Sequence, residues 1–94
     1  VNGGMTVDTT LTNMGGRPLI DFVVQMYFNA GTSSECTVRS IEHLKVQDTT
    51  THSYYLVPSH SVRLNPKANF NFEITLNNFC ETIPSFRLVD VRFG

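Results

Sequence analysis

The sequence predicts an all-β fold: a single-domain antiparallel β-sandwich of about seven strands with immunoglobulin-like or other Greek-key connections. Three observations carry that expectation. The stretch 68–76 alternates, with Phe70, Phe72, Ile74 and Leu76 on one face and Asn69, Asn71, Glu73 and Thr75 on the other. Further period-two segments recur along the chain, separated by turn signals every 8 to 15 residues. No convincing amphipathic helical stripe competes with them. A chain of 94 residues, 40% of them hydrophobic, buries one core, so residues 1–94 form one domain.

Taken in order, Met5, Val7, Thr9 and Leu11 alternate with Thr6, Asp8, Thr10 and Thr12, giving a first short strand bracketed by Gly3-Gly4 and Gly15-Gly16. Residues 19–29 follow Pro18. Ile20, Phe22, Val24, Met26 and Phe28 fill the even positions, and Leu19, Val23 and Tyr27 add apolar surface opposite, so this strand is expected at the centre of a sheet. Residues 29–34 have turn composition. Residues 36–46 start with Cys36 and Val38 on one face and change parity at Ile41 before Leu44 and Val46, which predicts a bulged strand. The alternative is a helical turn over 41–44, because Ile41 and Leu44 are spaced i, i+3.

Residues 47–52 read as a polar loop, 53–57 as a strand closed by Pro58, and 61–64 as a short strand. Leu64-Asn65-Pro66-Lys67 marks a β-turn built around proline, whose fixed φ suits a turn. The strong strand over 68–78 follows. In 86–93, Val89, Val91 and Phe93 share a face opposite Asp90 and Arg92, whereas Phe86 and Leu88 have the other parity, which predicts another bulge or a terminal residue facing both ways.

Cys36 opens the third strand and Cys80 lies just past the strong one. If those strands run antiparallel side by side, or face each other across the core, the start of one meets the end of the other and a disulfide is geometrically natural. Two buried free thiols are the alternative.

Composition excludes several functions. A net charge of −1 lacks the basic excess that phosphate-backbone binding needs, so no nucleic-acid partner is expected. The longest mostly apolar run, 19–28, contains Asp21 and Gln25 and is about half the length of a membrane-spanning helix, so no membrane span is expected. Charged residues make up 16%, against roughly 25% in an average domain, while Thr, Ser and Asn are abundant. That surface, together with a first residue Val1 in place of an initiator methionine, reads as an extracellular protein, processed or excised from a longer chain, whose signal peptide is not present in the sequence.

No constellation of catalytic residues emerges, so no enzyme and no cofactor are expected. His43, His52 and His60 have none of the close metal-ligand spacings. Ser59-His60-Ser61 puts hydroxyls beside an imidazole, but neighbours on a strand point to opposite faces. Glu42, Glu73 and Asp90 fall on solvent faces, and the double glycines lack the spacing of a phosphate cradle. Binding features are more numerous. Tyr54 and Tyr55, with Tyr27, are candidates for stacking on sugar rings, and the Asn69, Asn71, Glu73, Thr75 and Asn77 face offers hydrogen bonds to polysaccharide. One of Tyr54 and Tyr55 must point inward. Thr9-Thr10, Thr32-Ser33-Ser34 and Thr49-Thr50-Thr51 are candidates for O-linked glycosylation, and no Asn-x-Ser/Thr sequon exists.

The run Val57-Pro58-Ser59, then Leu64-Asn65-Pro66 leading into Phe70-Asn71-Phe72, resembles the C-terminal half of small secreted β-sandwiches such as the cellulose-binding modules of plant and slime-mould cellulases. It also looks like the tapetum-determinant type of secreted plant protein. The resemblance spans about forty residues of strand-turn-strand pattern and implies a secreted sandwich, with polysaccharide as partner in the first case. Cellulose-binding modules bring surface tryptophans and the plant proteins bring more cysteines; this chain has no tryptophan and two cysteines.

The double glycines around the first strand make residues 1–16 an N-terminal strand or arm on hinges, able to pair with a neighbouring copy through Met5, Val7 and Leu11. The functional expectation is therefore a non-catalytic extracellular structural or adhesive subunit that self-assembles into a polymer or fibril by N-terminal strand pairing. A carbohydrate-binding module using surface tyrosines is the second expectation.

Overall fold

The computed structural model describes residues 4–94, so Gly3 of the first glycine pair lies outside the described residues. Seven strands and no helix occupy them: β1 (Met5–Thr12), β2 (Leu19–Tyr27), β3 (Val38–Glu42), β4 (Leu44–Thr49), β5 (Ser53–Pro58), β6 (Asn69–Leu76) and β7 (Ser85–Phe93). They form two antiparallel sheets, ordered β1-β6-β3 and β4-β5-β2-β7. The β4-β5-β2 and β3-β6 neighbours are those of an immunoglobulin sandwich, in which the first strand lies beside the second and the last beside the sixth. Here β1 lies beside β6 and β7 beside β2, so the terminal strands have exchanged sheets.

Between the sheets, Phe22, Val24 and Met26 of β2 and Leu56 of β5 meet Phe72, Ile74 and Leu76 of β6, all buried. β2 is central, as its two-sided apolar content predicts, with β5 on one flank and β7 on the other. Gly4 precedes β1 with φ 118°, and a Cβ there would stand 2.7 Å from the Leu76 carbonyl oxygen, so only glycine lets the chain approach β6 this closely.

Three expectations need correction. Residues 47–49, read as part of a polar loop, are the end of β4, paired with β5 at Asp48 and Thr49. Residues 36–46 are neither one bulged strand nor a helical turn: β3 pairs with β6 in one sheet, and β4 with β5 in the other. The joint is His43, with φ 76°, a left-handed conformation that histidine visits more readily than most residues. The parity change arises because Ile41 faces the core from one sheet and Leu44 from the other. Residues 61–64 form no strand; Leu64 makes a single antiparallel bridge with Leu19, exchanging N–H···O bonds of 2.8 and 2.9 Å. β5 already occupies that flank of β2 from Val24 to Tyr27, which leaves only the Leu19 end open. The bulge expected in β7 is present, with Val89 unpaired between Leu88 and Asp90.

Polar clamps close the ends of the sandwich. The proline turn is shifted by one residue from the expected 64–67 and spans Asn65 to Ala68, closed by a 2.9 Å bond from the Ala68 N–H to the Asn65 carbonyl, which puts Pro66 second. Asn13, 4% exposed, sits against it. Its Nδ2 donates to the carbonyls of Arg17 and Leu64, both at 2.8 Å, its Oδ1 accepts from the Gly15 N–H at 2.9 Å, and its own carbonyl accepts from the Lys67 N–H at 2.7 Å. At the opposite end of β6, Asn77 Nδ2 donates to the Glu35 carbonyl at 2.7 Å and to Thr37 Oγ1 at 2.9 Å. Beside it Cys36 and Cys80 are bonded, their Cα atoms 4.7 Å apart, where the start of β3 meets the end of β6.

Replacing both cysteines by serine is expected to lower unfolding stability by about 4 kcal/mol, the chain-entropy value for a closed loop of this length, read as a fall in the urea midpoint. Asn13→Ala removes three side-chain hydrogen bonds, those to the Arg17 and Leu64 carbonyls and that from the Gly15 N–H, and is expected to cost about 2 kcal/mol or more by the same measurement.

Candidate functional site

Parity along each strand distributes the sequence-predicted residues over separate surfaces. The outer face of the three-stranded sheet is a polar ladder. Thr10 Oγ1 donates to Asn71 Oδ1 at 2.7 Å, Thr12 Oγ1 to Asn69 Oδ1 at 2.8 Å, and the Thr6 and Thr75 hydroxyls lie 3.4 Å apart. Across its middle the register sets Asp8 opposite Glu73 and Glu73 opposite Glu42, a row of three carboxylates spanning all three strands. Hydrogen bonding with Asp8, followed by desolvation and the negative charges of Asp8 and Glu42, raises the Glu73 pKa above its ordinary value near 4.5. Asn77, placed on this face by its parity, instead ties down the backbone around the disulfide.

The tyrosines belong to the other sheet. Tyr54 points inward and meets Phe28 edge to face, ring centroids 6.2 Å apart. Tyr55 points outward, opposite Gln25, and Tyr27 stands diagonally from it, opposite Ser53. Gln25 Nε2 donates to Ser53 Oγ at 3.0 Å and to the Tyr55 hydroxyl at 3.4 Å. The fold thus sets Tyr27 and Tyr55 on one outer face, in diagonal register, and separates both from Tyr54 and from the Asn69 to Thr75 ladder, which lies on the opposite outer surface.

Met5, Val7 and Leu11 are half-buried against the core of their own chain, and β1 pairs with β6 over its full length. The free edges of the sheets are β1, β3, β4 and β7. β7 stands apart among them. Only Phe86 packs on the core, 5.9 Å from the Phe72 ring, while Leu88, Val91 and Phe93 are 43%, 39% and 39% exposed and Val89 is exposed at the bulge. The alternation of the strand in sequence gives no sign of this, because the uncovered side follows from a four-stranded sheet packing on a three-stranded one.

His43 and His60 line one recess with Ser59 and Ser61, and His52 lies elsewhere, on the β4–β5 hairpin. No group of three or more potential metal ligands occurs among the described residues. Of the hydroxyl clusters, Thr10, Ser33, Ser34, Thr49, Thr50 and Thr51 are exposed, whereas Thr9 is half-buried on the inner side of β1 and the Thr32 hydroxyl is enclosed. No helix among the described residues is long and apolar enough to cross a membrane. No protein family, curated protein or solved structure compared with the chain matches it.

The carboxylate row predicts an unusual pH response. A carboxyl group whose pKa is raised by folding binds protons more tightly in the folded state, so acidification from neutrality towards 4.5 stabilises the protein through Glu73. Glu73→Gln is expected to raise Tm at neutral pH and to flatten this acid-side rise, as read from thermal melts over a pH series.

Proposed function

We propose that the protein is a non-catalytic extracellular structural or adhesive β-sandwich subunit that assembles with copies of itself by edge-strand pairing. The observation that carries this reading is β7, a nine-residue free edge whose apolar side chains stay in contact with solvent. Its charges fit a second copy. In the antiparallel register that sets Arg87 opposite Asp90 of the other copy, Phe86 faces Val91 and Ser85 faces Arg92, and each pair lies on a common side of the sheet. Joining two copies this way buries exposed apolar surface on both and continues the four-stranded sheet from one copy into the next.

The N-terminal strand supplies a second route. β1 is an edge, and exchanging it between copies would reproduce the same β1–β6 register and the Thr10–Asn71 and Thr12–Asn69 bonds, so repeated exchange builds a polymer. The disulfide supports an oxidising, extracellular location, and the exposed Thr49, Thr50, Thr51, Ser33 and Ser34 hydroxyls are available for O-linked sugars. A second reading, binding of polysaccharide on the outer face of the four-stranded sheet, is favoured by Tyr27 and Tyr55 sharing that face.

Light scattering of the full chain over a concentration series tests assembly. Oligomers that disappear in Val91→Lys support pairing through β7; oligomers that survive it but vanish when residues 1–14 are deleted support exchange of β1. A full-length protein that remains monomeric throughout removes the proposal. Retention on insoluble polysaccharide that is lost in Tyr55→Ala would support the second reading instead.

A further inference from the structure

The loops at the two ends of the sandwich carry opposite charge. At the end closed by Asn13, the connections 13–18 and 59–68 meet through the bond from the Lys67 N–H to the Asn13 carbonyl. Their lysine and arginine side chains are Arg17, Arg63 and Lys67, all exposed, and neither connection holds a carboxylate. At the disulfide end, the connections 28–37, 50–52 and 77–84 come together. Their carboxylates are Glu35 and Glu81, both exposed, and none of the three holds a lysine or arginine. Strand residues near the ends keep these signs: Lys45 and Arg92 accompany Asp21 towards the basic end, and Arg39 and Arg87 accompany Asp48 towards the acidic one.

Each end also holds large apolar side chains out in solvent. Met14 is 83% exposed at the basic end, and Phe79 and Ile83 are 48% and 66% exposed at the acidic end. Fixed backbone presents them. Met14 stands between buried Asn13 and Gly15, whose N–H bonds to Asn13 Oδ1, while the Phe79 N–H donates to Asn77 Oδ1 at 3.1 Å and its neighbour Cys80 is held by the disulfide. Phe79 and Glu81 border a recess of about 210 Å³, and a methionine thioether packs well against an aromatic edge. The molecule measures 43 × 25 × 20 Å. Nine-residue strands, about 30 Å long, fit only along its long axis, so these loops lie at the two ends of that axis.

From this arrangement we infer that the basic end of one copy seats on the acidic end of a second copy of the chain, with Met14 packed against Phe79 and with Arg17, Arg63 and Lys67 facing Glu35 and Glu81. The contact is heterologous, so its repetition builds a head-to-tail row along the long axis. An end face of 25 by 20 Å buries on the order of 1,000 Å² over both partners, below the 1,200–2,000 Å² of a standard interface. Association by the ends is therefore weak and governed by charge. It uses no strand edge, so it does not rest on pairing through β7 or exchange of β1.

The test is sedimentation velocity of the full-length protein carrying Val91→Lys, which blocks pairing through β7, from about 10 μM to about 1 mM. At low salt the mean sedimentation coefficient is expected to rise with concentration, and at about 0.5 M salt, where screening is short-ranged, to return to that of a monomer. Glu81→Lys and Arg17→Glu are each expected to weaken association roughly threefold to tenfold. Mixing the two variants is expected to restore it, because the acidified end of one then meets the basified end of the other. Should Arg17→Glu fail to fold, Arg63→Glu takes its place. Three outcomes overturn the inference: a monomer at every concentration at low salt, association that neither charge reversal weakens, or weakened variants whose mixture recovers nothing. Oligomers seen with Val91 intact but not in this background leave edge pairing standing and remove the end contact.

Discussion

The inner faces of β2 and β6 seal each other, and the rest of the molecule is arranged around that contact. Phe22, Val24 and Met26 project from one strand, Phe72, Ile74 and Leu76 from the other, and burying each such side chain contributes roughly 1.5–3 kcal/mol against a chain entropy of similar total size. Both strands are central in their sheets, so each carries a neighbour on either flank. Any strand that joins must present its own apolar side chains to the same interior. β1 does so with Met5, Val7 and Leu11, and β5 with Tyr54 and Leu56.

A core this small leaves the ends to be held by directional bonds. Asn13 closes one end by satisfying its amide, its carbonyl and two neighbouring carbonyls, and Asn77 with the Cys36–Cys80 bridge closes the other. At the flank, by contrast, four strands overlie three and β7 is left with Leu88, Val91 and Phe93 uncovered. In the assembly we propose, that open flank is where one copy meets the next.

Alternation made most of this legible in advance. Phe70 to Leu76 keep a strict period of two, and β6 has the predicted inward and outward faces because a pleated strand offers no other choice. The double-sided apolar content of 19–29 marked the central strand, and the mismatch between Leu88 and Val89 marked the bulge in β7. Where parity broke at Ile41 the break was visible but its meaning was not. A bulge within one sheet and a crossing between two leave the same trace in sequence, and only the positive φ of His43 with the separate partners of β3 and β4 distinguishes them.

The sequence by itself determined that the chain is a two-sheeted β domain, which faces its strands turn inward, and that two cysteines stand where a strand start can meet a strand end. These are local matters, fixed by side-chain period and turn chemistry. The tertiary structure alone decided that β1 and β7 exchange places relative to an immunoglobulin sandwich and that Tyr54 turns in while Tyr55 turns out. Those outcomes depend on which strands become neighbours, and the total energy of packing all inner faces at once selects among pairings that a strand's own alternation cannot tell apart.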